Sequence, residues 1–330
     1  MSSKAVIKIG FVLVLALAAL AMPAQAQETG SEGAVARVRA VHASADAPAV
    51  DITLDGAVIA EGVTFGQATD YFLLPAGDYT VGVNIAGEAT SVVEAPVTLA
   101  AGDAVTAVAL GPGDALELSA FRDDLAPLDL GTGRLVVINA SAELDAVDIV
   151  TADGATLIGG VGQGKASAPA DLSADAYDLD IVATGGDGTA LPGSGMLYVN
   201  TGTLHTIVVL DGGSLALSAA TLPAETPSAM LRVGHASPDA PPVDVYLNDV
   251  KAVSALTFGS ATEALALPPG DYTVAFFVAG SDPAEGAVTA AAFALGAGEA
   301  RTLMALGNVA ELQLVLYAED QSPQAPAARA

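Results

Sequence analysis

The stretch HASPDAPPVDVYLND, residues 235–249, sets His235, Ser237, Asp239 and Asp244 within ten positions. Imidazole, hydroxyl and carboxylate are the groups of a hydrolytic triad: the ring takes the hydroxyl proton, and the carboxylate fixes the ring's tautomer and orientation. The segment HASADAPAVD repeats the series as His42, Ser44, Asp46 and Asp51. Carboxylates at Asp46/Asp51 and Asp239/Asp244, with nearby carbonyls, are also the oxygens a calcium ion or a glycan would use, although no D-x-[DN]-x-[DN]-G loop occurs.

The elements that must position these groups are short strands and proline turns. If LRVGHAS is a strand, His235 and Ser237 share a face about 6.6 Å apart. The prolines of PDAPP redirect the chain, and Asp244 opens the next strand with Val243 and Val245 on its opposite face. His235, Ser237 and Asp244 are thereby expected to converge at one end of the fold. The same residue types also serve plain turns, where Ser and Asp side chains bind backbone groups.

A further copy separates the two readings. LVVINASAELDAVDIV keeps Ser141 and Asp148 but has Asn139 in place of the histidine. Asparagine cannot act as a general base, yet it can replace a neutral imidazole's hydrogen bond. That exchange fits a clip that fastens a turn, so no catalytic residue is assigned. No G-x-S-x-G elbow is present, and Ser194 in PGSGM reads as a glycine-rich loop. His205, in TLHTIVVL, is a lone histidine in a strand-like run, and single histidines in separate repeats make no zinc site. Asp175, Asp178 and Asp180 of DAYDLD read as a solvated strand face. No cofactor or metal is assigned.

The repetition is threefold. His42, Asn139 and His235 lie 97 and then 96 residues apart. LPAGDYTVGV from Leu74 recurs as LPPGDYTVAF from Leu267, with LSADAYDLDI from Leu172 as a degenerate middle version. VTFGQAT from Val63 recurs as LTFGSAT from Leu256. Each unit, of about 90 to 95 residues, holds seven or eight β-compatible runs punctuated by turn residues, the pattern of a sandwich. The expected fold class is all-β: three tandem immunoglobulin-like or transthyretin-like antiparallel β-sandwiches. Their boundaries are 36–122, 134–221 (degenerate) and 230–319. The linkers 123–133 and 222–229 carry proline and suggest limited hinge freedom. Gly77 and Gly270 suit the tight turns before Tyr79 and Tyr272, whose rings can lie in the core while their hydroxyls reach a loop carbonyl.

The ends concern export. Lys4 and Lys8 precede an apolar run of roughly 14 residues and then PAQAQ, with Ala24 and Ala26 in signal-peptidase positions. Residues 1–26 therefore read as a signal peptide, the run being short of the ~20 residues of a membrane span. Residues 27–35 read as an N-terminal linker and 320–330 as a disordered tail. There is no cysteine, hence no disulfide, lipobox or thiolate chemistry. The chain carries a formal net charge of −27, which falls to −29 once the two signal lysines leave. Such a surface repels phosphate backbones and anionic lipid, so neither nucleic acid nor direct membrane binding is expected.

The series HASPDAPPVDVY, LTFGSAT and LPPGDYTV resembles the bacterial DUF4397 family, a β-sandwich domain of exported and surface proteins, often in tandem. The resemblance covers units one and three nearly end to end. The middle unit lacks the histidine, the following prolines and the Phe-Gly pair. It implies extracytoplasmic placement, secreted or periplasmic, and carries no catalytic residue across. The expected function is that of a non-enzymatic surface, adhesion or scaffold module, with envelope proteins or glycans as partners. The alternative is an extracellular module holding calcium or a glycan at the loops near Asp46/Asp51 and Asp239/Asp244.

Overall fold

The computed structural model describes residues 35–221 and 229–319. The signal peptide (1–26), nearly all of the 27–35 and 222–229 linkers, and the 320–330 tail lie outside the described residues. No described helix is long and apolar enough to cross a membrane.

The first sandwich contains β1 (Val35–His42), β2 (Val50–Leu54), β3 (Ala57–Val63), β4 (Phe72–Pro75), β5 (Gly77–Ile85), β6 (Ser91–Leu99), β7 (Ala104–Leu110) and β8 (Glu117–Arg122). One sheet runs β4-β1-β7-β8 and the other β3-β2-β5-β6. The second sandwich contains β9 (Thr132–Asn139), β10 (Ala146–Thr151), β11 (Thr156–Gly162), β12 (Lys165–Ala166), β13 (Ala170–Ser173), β14 (Ala176–Ala183), β15 (Gly195–Tyr198), β16 (Thr203–Leu210) and β17 (Gly213–Ala220). Its sheets are β12-β9-β16-β17, with β13 also on β9, and β11-β10-β14-β15. The third contains β18 (Ala229–Ala236), β19 (Val243–Leu247), β20 (Val250–Leu256), β21 (Leu265–Leu267), β22 (Gly270–Val278), β23 (Thr289–Leu295), β24 (Ala300–Leu306) and β25 (Gln313–Ala318). Its sheets are β21-β18-β24-β25 and β20-β19-β22-β23.

The sandwiches are mixed rather than purely antiparallel. In each, the first strand runs parallel to the penultimate one: β1 with β7, β9 with β16 and β18 with β24. Alternating apolar residues place a strand in a sheet but leave its direction open. Each sandwich closes its own core, for example Val38, Ile52, Val83 and Val105 in the first and Leu231, Val245, Phe276 and Leu303 in the third. Tyrosine hydroxyls lock the turn before the fifth strand. Tyr79 donates to the Pro75 carbonyl (2.8 Å) and Tyr272 to that of Pro268 (2.7 Å). Tyr177 makes the same bond to Ser173 (3.1 Å).

The junctions are tighter than the linkers suggest. The sheets β4-β1-β7-β8 and β12-β9-β16-β17 share a core of their own, made by Val41, Ala43, Val108 and Leu110 from one side and Ile138, Ala140, Val208 and Leu210 from the other. Strands β7 and β16 are therefore buried along their whole length. Beside this core Arg39 pairs with Asp123 (3.6 Å), both side chains 3% exposed, and reaches Thr206 of the second sandwich (3.2 Å). Tyr71 covers the guanidinium at 4.7 Å and donates to Asp123 (2.5 Å). Desolvation and the Asp123 charge push the Tyr71 phenol well above its ordinary range. Asp123 and Leu125, from the 123–133 linker, are both buried. This stretch is a packed seam, not a hinge.

The second junction is held by polar contacts. Thr201 N–H donates to the Ala252 carbonyl (2.8 Å), and Ser254 N–H donates to the Asn200 side chain (3.1 Å). Lys251 sits between Asp175 (2.8 Å) and Asp244 (3.3 Å). Asp175 thus pairs across the junction, while Asp178 and Asp180 lie along the solvent side of β14.

Candidate functional site

The histidine corner forms where the first strand of a sandwich leaves one sheet for the other. His235 ends β18 almost fully buried, and the chain must turn through Pro238, Pro241 and Pro242 before β19. The His235 Nε2 lies 3.2 Å from the Pro241 carbonyl, and Nδ1 accepts the Ser237 N–H at 3.2 Å. His42 repeats both contacts, to the Pro48 carbonyl (3.0 Å) and from Ser44 N–H (3.3 Å). Only the neutral Nε2–H tautomer satisfies both partners, because a carbonyl must accept and an amide must donate. A triad histidine holds its proton on Nδ1 and offers Nε2 to the serine hydroxyl. The ring here has the opposite arrangement.

Asn139 reproduces the clip with an amide. Its nitrogen donates to Leu144 (3.0 Å) and Val161 (3.1 Å), and its oxygen accepts Ser141 N–H (3.2 Å). The serine hydroxyls serve the next layer. Ser44 donates to Asp46 and Ser237 to Asp239, both at 3.2 Å. Asp46 also accepts Gly113 N–H (2.8 Å), and Asp239 accepts Val309 N–H (2.9 Å), tying this turn to the one after the seventh strand. In the middle sandwich the carboxylate comes from that other turn: Asp211 takes Ser141 Oγ (2.5 Å) and Ala142 N–H (2.9 Å). No repeated motif marks Asp211, since its place in the sequence does not match Asp46 or Asp239.

Asp244 does not join His235 and Ser237, contrary to the convergence expected from spacing. It lies on β19 in the opposite sheet, where its oxygens accept Ala255 N–H (2.8 Å) and Gly280 N–H (3.2 Å). Asp51 does the same with Gly62 (2.8 Å) and Gly87 (2.9 Å), whose amides hold its carboxyl below the usual range. Asp148 accepts Gly160 N–H and the Thr184 hydroxyl, both at 2.6 Å. These carboxylates stabilise a bulge between the second and third strands. The bulge residue has positive φ in each copy: 64° at Gly62, 67° at Gly160 and 48° at Ala255. Among the described residues no three His, Asp or Glu side chains form a metal-sized cluster. Asp51 and Asp244 are bound to backbone amides, and Asp244 to Lys251 as well. Ser194 bridges its own loop, donating to Leu191 and accepting from Ile181.

A different place holds a buried hydroxyl without a partner. A cleft of about 350 Å³ lies where the second and third sandwiches meet, lined by Tyr198, Asn200, His205, Ser254, Ser260 and Glu263 among others. The Nε2 of His205 accepts Asn200 N–H (3.3 Å), which leaves the ring proton on Nδ1. Burial lowers its pKa to about 4. The Ser254 hydroxyl, within a residue 4% exposed, has no hydrogen-bond partner. Tyr198 is 43% exposed beside them. In the sequence His205 stands as a lone histidine in a strand-like run, and Ser254 belongs to no motif. Only the packing of two repeats brings them together.

Both histidine corners fall within residues that match a known family. A model described as "Domain of unknown function (DUF4397)" matches residues 36–150 and 229–330, more than half of the chain. The chain belongs to the DUF4397 family. The first match runs past the first sandwich to the end of β10, and the rest of the middle sandwich is unmatched. Comparison with curated proteins finds no match. Among solved structures, the chain is similar to the Bacillus anthracis TIE protein at 14% identity, with a TM-score of 0.19; the match covers 83% of this chain and 50% of that one. It is similar also to CBMbc, a family CBM26 module from Eubacterium rectale Amy13K in complex with maltoheptaose, at 9% identity and a TM-score of 0.20; that match covers 57% of this chain and 98% of that one. The chain thus spans half the length of the TIE protein.

Proposed function

We propose that this DUF4397 protein is an exported, non-enzymatic surface or scaffold module that holds a neutral polyhydroxylated ligand, such as an envelope glycan, in the cleft between its second and third sandwiches. The observation that carries the reading is the buried Ser254 hydroxyl, which lacks a partner in a cleft that also presents a His205 ring proton and the Asn200 amide. A buried hydroxyl left unpaired costs about 1–3 kcal/mol, and a ligand hydroxyl would remove that penalty. The volume is in the range of small-molecule sites, and an exposed aromatic ring beside convergent polar groups suits a sugar's apolar and hydroxylated faces. The corner residues support a non-enzymatic role, since their donors and acceptors are bound to the turns they close.

Calorimetric titration with a panel of neutral cell-wall oligosaccharides tests this. Binding is expected for at least one glycan, weakened about tenfold or more by Tyr198→Ala. Ser254→Ala, which removes the unpaired group without a large cavity, is expected to raise the melting temperature and weaken binding. Absence of glycan binding together with ester or peptide turnover that Ser237→Ala abolishes would overturn the proposal. Binding of an envelope protein with no glycan binding would retain the scaffold role and remove the ligand.

A further inference from the structure

The first two sandwiches meet through the same four positions on each side. Val41, Ala43, Val108 and Leu110 correspond to Ile138, Ala140, Val208 and Leu210, since Val41 pairs with Val108 and Ile138 with Val208 in the same parallel register. All eight are at most 7% exposed. Use of one patch by both partners is the signature of a two-fold, self-complementary interface. Here two copies within one chain form it.

The third sandwich carries the same face without a partner among the described residues. In its register Gly234 pairs with Met304, so the matching positions are Gly234, Ala236, Met304 and Leu306. Ala236, Met304 and Leu306 remain partly exposed. Met304 lies over Gly234, filling the space where Val41 and Ile138 have branched side chains. Tyr317 occupies the place of Phe121 and Leu217, opposite Thr302 as they are opposite Thr106 and Thr206. It is 47% exposed, whereas Phe121 and Leu217 pack against the shared core.

The polar edge is preserved too. Arg232 and Glu319 are 3.6 Å apart, like Arg39 and Asp123, and Thr302 bonds Glu319 as Thr106 bonds Asp123. The difference is water. The Arg39–Asp123 side chains are 3% exposed, while Arg232 and Glu319 are 41% and 34% exposed. The face has the apolar centre and the ion-pair edge of the internal interface, but no described residue covers it.

We infer that the third sandwich is a homodimerisation module, its β18-β24-β25 face packing on the same face of a second copy of this chain about a two-fold axis. A flexible methionine at the centre suits a surface that adapts on association. The face is isologous by descent, so the partner it fits is itself, and the contact closes at two chains.

Sedimentation velocity of the purified chain over a concentration series tests this. A monomer–dimer equilibrium with a constant on the order of micromolar is expected for an interface of one sheet face. Tyr317→Asp and Met304→Asp should each weaken it about tenfold or more. Val92→Asp, on the 50% exposed edge residue of β6 in the first sandwich, should leave it unchanged. Thermal melts by circular dichroism check that the variants fold, and Tyr317, half outside the monomer, is the variant that keeps the core intact. A chain monomeric up to hundreds of micromolar, or a dimer that both face variants leave intact, would overturn the inference. So would a chain that dimerises only after deletion of residues 320–330, because the tail would then be the occupant.

Discussion

Replacing His235 by Ala and by Asn separates a turn clip from an active base. The ring makes two hydrogen bonds, at 3.2 Å to Pro241 and 3.2 Å from Ser237, in a site 2% exposed. Alanine removes both, each worth about 0.5–1.5 kcal/mol, and leaves the Ser237 amide buried without an acceptor. With the small cavity added, the loss is about 3 kcal/mol. Asparagine keeps an acceptor for Ser237 N–H and a donor for a carbonyl. Its shorter reach selects Leu144, five residues on, in the middle sandwich, where the histidines reach six. The expected loss for His235→Asn is therefore about 1 kcal/mol. Urea unfolding followed by near-ultraviolet dichroism gives the global difference, and amide exchange at Ser237 gives the local one. An Asn variant as unstable as the Ala variant would refute the reasoning, since Asn139 would then not be doing the work of an imidazole.

Ala255→Gly is expected to stabilise by about 1 kcal/mol, because Ala255 holds φ 48° where the other copies have Gly62 and Gly160; a denaturation midpoint that falls would contradict this. Arg39→Ala is expected to cost about 3–5 kcal/mol, leaving Asp123 buried and unpaired, whereas Arg232→Ala stays within about 1 kcal/mol because its ion pair is solvated; equal losses in urea unfolding would sink the contrast. His205 has a folded pKa of about 4 against an unfolded value near 6.5. The unfolded chain binds the extra proton, so His205 contributes stability that is full above about pH 6.5 and is lost as pH falls toward 4, at most about 3 kcal/mol. An imidazole resonance titrating near 4 checks it, and one near 6.5 would refute it.

The fold was legible where residue type alone decides a local geometry. Tyr79 and Tyr272 point to their corner because a proline-glycine turn precedes them, and the Asn139 exchange exposes the clip. Strand direction was not legible, because β1 alternates in the same way beside a parallel or an antiparallel neighbour. The packed seam between the first two sandwiches leaves a trace in the sequence. AVTAVAL at β7 and TIVVL in β16 are apolar runs broken only by Thr106 and Thr206, close to the pattern of strands buried on both faces. Read that way, they would have replaced the expected hinge with an interface. Spacing also placed Asp244 with His235, when the turn sends it into the opposite sheet. Asp211, His205 and Ser254 act through contacts between distant segments, and no local spacing encodes those.

The tautomers of His42 and His235 test the central claim most directly. Long-range proton–nitrogen spectra should show the proton on Nε2 in each. Nδ1 should couple through the hydrogen bond to the amide of Ser44 or Ser237. A proton on Nδ1, with Nε2 free to receive the serine hydroxyl, would contradict the account and restore the corner as a candidate for catalysis.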